Sequence, residues 1–183
     1  MADDEGRKLR CDGQALVDFL RELLPDAFWP ITAIWPKGIP GPPNGMRDIY
    51  TRVFHPDEAE ECKAWAERMN NLGFNIYFNP NPPRTKTDKK AKKEDIAEVR
   101  YLFVDVDPRA GEPLQKERER ISQRLLGSNT PKDVPKPTLV IDSGGGYWGF
   151  WKLDTPVSLP QGRPEEQDDD EDDDEESEDD DDG

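Results

Sequence analysis

The chain has 183 residues and a net charge of −16, from 25 Lys and Arg against 41 Asp and Glu. Sixteen of those acids lie between Glu165 and Asp182, so residues 1–164 balance at 25 acids against 25 bases and the acidity belongs to a tail. No apolar run approaches the ~18 residues of a membrane span, two cysteines are too few for a disulfide-built scaffold, and 9% aromatic residues exclude a wholly disordered chain.

Residues 14–24 read as a helix with Leu16, Phe19, Leu20 and Leu23 on one apolar stripe, stopped by Pro25. Ile31–Trp35 reads as a short strand. Residues 36–45, rich in Pro and Gly, read as a loop, and Ile49–Phe54 as a second strand. Pro56 and Asp57 open a helix whose Ala59, Cys62, Trp65, Ala66, Met69 and Leu72 recur at helical spacing, and Gly73 ends it. His55, the single histidine, stands just before this helix and reads as a cap. Phe74–Phe78 is a strand, ended by Asn79-Pro-Asn-Pro-Pro83. Residues 84–93 form a basic loop, Glu94–Val99 reads as a helical turn, and Tyr101–Val106 is the clearest strand. Residues 112–126 read as a helix with Leu114, Ile121 and Leu125 inward. Thr138–Ile141 and Tyr147–Leu153 then make a hairpin around a tight turn at Ser143–Gly146. This order of elements predicts an α+β domain over residues 1–160, followed by a disordered acidic tail over 161–183. With no apolar leader in MADDEGRKLR, Cys11 and Cys62 read as reduced thiols of a cytoplasmic protein, one disulfide being the alternative.

Three constellations can carry chemistry. Asp105 and Asp107 alternate along a strand, so they face the same way about 6–7 Å apart. Two carboxylates that close repel unless a cation sits between them, which suits Mg²⁺ or Mn²⁺ and phosphoryl transfer; the alternative is a solvated turn before Pro108. Ser143, Gly144, Gly145 and Gly146 can crowd backbone N–H groups around a phosphate, or simply turn a hairpin. An aromatic strand follows these glycines where a dinucleotide site needs a helix, and no Gly-Lys-Ser/Thr is present, which excludes both the dinucleotide and the P-loop readings. Arg84, Lys86, Lys89, Lys90, Lys92 and Lys93 can meet a nucleic-acid backbone, form a solvated loop, or hold the acidic tail. Trp148 and Trp151 can stack a base or serve as core.

Read together, Asn75-Ile-Tyr-Phe-Asn-Pro-Asn-Pro82, Lys89-Lys-Ala-Lys-Lys-Glu-Asp-Ile96, Arg100-Tyr-Leu-Phe-Val-Asp-Val-Asp107-Pro-Arg-Ala-Gly111, Ile141-Asp-Ser-Gly-Gly-Gly-Tyr147 and Phe150-Trp-Lys-Leu153 occur in an order that resembles the primase-polymerase domain of plasmid and phage replication proteins. These are the RepB-like relatives of the archaeo-eukaryotic primases. The resemblance covers about residues 15–157. It implies an N-terminal α/β unit joined to a partial RRM-like antiparallel sheet. It implies templated nucleotidyl transfer on single-stranded DNA from nucleoside triphosphates, with Mg²⁺ or Mn²⁺, in the cytoplasm of a prokaryotic cell or phage-infected host. Asp105 and Asp107 match its metal-binding acids. Ser143, Gly144 and Gly146 match its nucleotide-phosphate loop, with Trp148 at a nucleotide-contacting position.

Two departures stand out. The family carries His or Gln where this chain has Trp148, and an indole offers one N–H and no cationic form. The family also places a third acid on a strand well downstream of the glycines, where this chain runs into its tail. Asp142 and Asp154 are the nearby acids and neither matches by position. The domain is therefore expected to be incomplete after the Gly-rich motif. The alternative to catalysis is a binding module for nucleic acid or a replication partner, modulated by a polyacidic tail that also suits a basic partner.

Overall fold

A computed structural model describes residues 11–89, 91–127 and 129–161. The expected tail from residue 162 onward and Lys90 lie outside the described residues. The architecture is α+β, with two three-stranded antiparallel sheets. Among the described residues no helix is long and apolar enough to cross a membrane.

The first sheet has β1 (Trp29–Ile34) between β2 (Ile49–Phe54) and β3 (Asn75–Phe78), antiparallel to both. Helices α1 (Gly13–Leu23) and α2 (Ala59–Asn71) pack on it. Asp12 caps α1 by accepting from the Gln14 and Ala15 amides, each at 3.0 Å, which satisfies two otherwise unpaired donors of the first turn. His55 caps the 3₁₀ turn Pro56–Glu58 that leads into α2. Its Nδ1 accepts from the Asp57 amide, while the Glu58 carboxylate accepts from the His55 amide at 2.8 Å. The buried face of α2 is Ala59, Cys62, Trp65, Ala66 and Met69, as its spacing predicts, but Leu72 is exposed. In α1 the buried positions are Val17, Leu20 and Leu23, with Leu16 and Phe19 only partly covered, so the stripe is rotated from the expected one. These side chains close over Trp29, Ile31, Ala33, Phe54 and Phe74 in one core. Trp29 is fully buried and its indole donates to the Leu24 carbonyl at 2.8 Å, so burial leaves no polar atom unpaired.

The second sheet runs β4-β6-β5, with β4 (Glu98–Val106) at one edge, β6 (Tyr147–Ser158) central and β5 (Leu139–Asp142) at the other edge. Helix α3 (Leu114–Leu125) makes the connection from β4 to β5. Register puts Phe103 opposite Phe150 and Asp105 opposite Trp148. Side chains alternate across a sheet, so Tyr101, Phe103, Asp105, Trp148 and Phe150 share one face, and Leu102, Val104 and Trp151 the other. On the second face α3 packs so closely that a Cβ at Gly149 would lie 3.3 Å from the Leu125 side chain. The first face meets the N-terminal unit. The Phe78 and Phe150 rings are 5.9 Å apart, and the Tyr101 hydroxyl donates to the Leu23 carbonyl at 3.3 Å.

In α3 Ile121 and Leu125 are buried as expected, but Leu114 is exposed and Glu117 is buried instead, and two strands differ from their sequence reading in extent. Only Lys93–Asp95 turns helically, and β4 begins at Glu98, inside the expected helical turn. Asn81 explains part of this: its Oδ1 accepts from the Arg100 and Tyr101 amides at 2.8 and 3.0 Å, and its Nδ2 donates to the Tyr101 carbonyl at 3.1 Å. One side chain thus stands in for a neighbouring strand. The second difference is that β6 runs on to Ser158. Its ladder with β4 is irregular between Val99 and Tyr101, and Pro156, which has no N–H to contribute, falls within that irregularity.

Candidate active site between the two sheets

A cleft of about 670 Å³ opens where β3 faces the second sheet. Asp105, Asp107, Asp142, Ser143, Gly145 and Trp148 line one side, and Asn70, Asn75, Ile76 and Phe78 are on the other. Residues separated by about forty positions in the chain are brought together because β4 and the β5–β6 hairpin end at the same side of the sheet.

Partial desolvation at the cleft wall raises the Asp105 carboxyl above the ordinary aspartate value, and the neighbouring Asp107 charge adds to it. The Trp148 side chain, directly across the ladder, acts the other way. Asp142 has the opposite environment. Its ion pair with Arg118 and the Gly144 amide, donating at 2.8 Å, hold it below the ordinary range. Arg118 also donates to the Gly144 carbonyl at 2.7 Å and lies over the Tyr147 ring. It therefore braces the glycine turn from outside.

That turn is internally bonded. The Gly146 amide donates to Ser143 Oγ at 3.0 Å, the Ser143 amide to the Gly146 carbonyl at 3.1 Å, and the Gly144 amide to Asp142. Gly144 has φ +87°, a left-handed conformation that favours glycine. Gly146 passes so near β4 that a Cβ would lie 2.4 Å from the Val106 carbonyl oxygen. Two of the three glycines thus have a structural reason to be glycine. In this arrangement the Gly145 amide and the Ser143 hydroxyl hydrogen are what the turn can offer a ligand.

The loop between β4 and α3 is fixed by a buried carboxylate that the sequence did not suggest. Glu117 is 0% exposed, and it accepts from the Arg109 amide at 3.0 Å and from the Arg109 and Arg120 guanidiniums at 2.7 Å each. These hydrogen bonds, Arg120's foremost, hold Glu117 well below the ordinary glutamate range. Asp107 lies two residues before Arg109, so its segment is tethered to the first turn of α3.

The nominated bases behave differently from one another. Arg84 donates to the Leu159 and Pro160 carbonyls, closing the far end of the second sheet, and Lys86 pairs with Glu58. Lys92 faces Glu94 at 3.9 Å, whereas Lys89 and Lys93 make no ion pair among the described residues. The segment enters β4 at Glu98, whereas Asp105 is seven residues further on, about 23 Å along the strand. Trp151 lies on the opposite face from the cleft, its indole donating to the Pro135 carbonyl at 2.7 Å.

The donor set bears on the expected cation. Among the described residues no group of three His, Cys, Asp or Glu side chains is placed to hold a metal ion. A carboxylate pair one strand step apart suits Mg²⁺ or Mn²⁺ arriving with substrate phosphates, since such ions take one or two protein carboxylates and keep water or phosphate as remaining ligands. Comparison with protein-family models, with curated proteins and with solved structures finds no match to this chain.

Proposed function

We propose that this chain is a primase-polymerase-like nucleotidyltransferase domain that acts on single-stranded DNA in the cytoplasm. The observation that supports this reading is the convergence of Asp105, Asp107, Ser143, Gly145 and Trp148 on one cleft large enough for a nucleotide. Asp105 and Asp107 would hold Mg²⁺ or Mn²⁺ together with the triphosphate, and the ion would supply charge neutralisation at the transferring phosphoryl group. Asp105, made costly as an anion by its surroundings, would be favoured by a cation beside it. Ser143 Oγ–H and the Gly145 amide are the donors the turn leaves for an anionic ligand. Trp148 forms the cleft wall beside Asp105.

Calorimetric titration of the full chain with a nucleoside triphosphate plus Mn²⁺ tests the binding half of this reading. Saturable binding that disappears in Asp105→Ala/Asp107→Ala supports it; binding that persists in the double variant sinks it.

A second reading, a non-catalytic binding module, is favoured by a separate observation. Asp142, the nearest further carboxylate, is committed to Arg118, and the Gly144 and Gly146 amides are committed within the turn. Nucleotide or DNA binding without incorporation is what this second reading expects.

A further inference from the structure

Phe103, inside the apolar run of β4, is 50% exposed. It stands on the cleft face of β4, two residues before Asp105. Its ring lies nearly parallel to Trp148, at 11° with centroids 5.9 Å apart. Phe150, fully buried on the same face, packs beside both rings with centroids 5.9 and 6.0 Å away. Phe103 thus extends the aromatic wall that Trp148 begins, from the cleft outward to the edge of β4. Beyond Tyr101, where Asn81 stops covering it, the free edge of β4 meets no other strand among the described residues. Lys152 lies across the ladder from Tyr101 on the same face and is exposed, so a cation borders the rings on the side away from the carboxylates.

We propose that Phe103 and Trp148 form a stacking platform for successive unpaired bases of a single nucleic-acid strand. A half-exposed aromatic ring at the edge of a sheet, continued by a second ring in the cleft wall, accepts any base through its π-face, and a flanking lysine suits the strand's phosphates. Charge sets the direction. Asp105 and Asp107 repel a backbone that has no bound cation, so the phosphates run on the Lys152 side and the bases lie toward the carboxylates. A single strand is favoured over a free nucleotide because Phe103 lies outside the cleft on an open edge, where a chain can enter and leave. The inference rests on the proposed function only for calling that strand a template.

The test is fluorescence anisotropy of the full chain at low salt, with a labelled oligothymidylate and an abasic oligonucleotide of equal length. Phe103→Leu retains apolar bulk but removes the ring face, and Phe103→Tyr restores it; circular dichroism melts confirm that both fold. Phe103→Leu is expected to weaken oligothymidylate binding by about tenfold. It should leave abasic binding unchanged, with recovery in Phe103→Tyr. Equal losses on both oligonucleotides, no loss, or no oligothymidylate binding by the parent chain would overturn the platform. Efficient displacement by free thymidine triphosphate would overturn the assignment to a strand. The two readings fail separately. Template-directed synthesis with normal oligothymidylate binding by Phe103→Leu removes the platform alone, and base-dependent binding without any synthesis removes the enzyme alone.

Discussion

Alanine substitution at each of the three glycines separates a packed hairpin turn from a loop whose glycines exist for a ligand. At Gly146 the new Cβ would meet the Val106 carbonyl oxygen at 2.4 Å and the Asp107 Cα at 3.3 Å. Both atoms belong to backbone, so no side chain can swing away, and the turn or the end of β4 must move by close to an ångström. Overpacking of that kind costs about 1–3 kcal/mol. For a domain of this size that is a fall in melting temperature of roughly 3–10 °C. Gly144→Ala forces alanine to φ +87°, at a cost of about 1–2 kcal/mol. Gly145→Ala meets nothing within 4 Å and needs no left-handed backbone, so a change within about 0.5 kcal/mol is expected. Thermal melts followed by circular dichroism give the order Gly146, then Gly144, then Gly145. If Gly146→Ala melts with the parent chain while Gly145→Ala loses the most, the close-approach argument is wrong.

Other consequences follow from the same contacts. Asn81→Ala removes three hydrogen bonds from the edge of β4 and should cost about 1–3 kcal/mol in urea unfolding, read from the midpoint at constant slope; an unchanged midpoint would show that water replaces the side chain. Glu117 has a depressed pKa in the folded chain, so its stabilising contribution is present above the unfolded-state value and fades as pH falls through the acidic range. Glu117→Gln should therefore melt below the parent at pH 7, with the gap narrowing below about pH 4; a gap equal at pH 3 and pH 7 would contradict the ion cluster. Burial pushes the Cys62 thiol up to about 12, so in the native chain an aromatic disulfide reagent should label Cys11 first, with Cys62 reacting only once urea opens the core. Rapid stoichiometric labelling of Cys62 under native conditions would refute its place in the core.

Helical spacing made α2 readable almost side chain by side chain, because Ala59, Cys62, Trp65, Ala66 and Met69 face a single sheet. The capping role of His55 was readable for a similar reason, as Pro56 and Asp57 mark a helix start locally, whereas the answering bond to Glu58 was not foreseen. The start of β4 was not readable. It depends on Asn81, a side chain some twenty residues away that satisfies backbone groups no pattern could assign. The extension of β6 through Pro156 was hidden because proline argues against a strand until an irregular ladder accommodates it. At the site, Asp105, Asp107 and the glycine turn were nominated from spacing, and the fold sets them around one cleft. What spacing could not tell was how the polar groups are shared. The turn's amides bond locally to Asp142 and Ser143, the clamp on Glu117 depends on the path of the loop that enters α3, and the tie between Arg118 and Asp142 depends on α3 docking beside the hairpin. The basic loop shows the same limit, since Arg84 and Lys86 look like their neighbours in sequence but are committed to carbonyls and to Glu58. Phe103 was missed because an apolar strand reads as buried on both faces, and only the edge position of β4 exposes it.

Nucleotide transfer at the Asp105/Asp107 cleft is the proposal on which the other functional roles depend. The most direct measurement is incorporation of labelled nucleotides on a single-stranded DNA template with Mg²⁺ or Mn²⁺, the full chain run beside Asp105→Ala/Asp107→Ala. Template-directed products are expected from the full chain and none from the double variant. Absence of product from the full chain, or equal product from both, would contradict it.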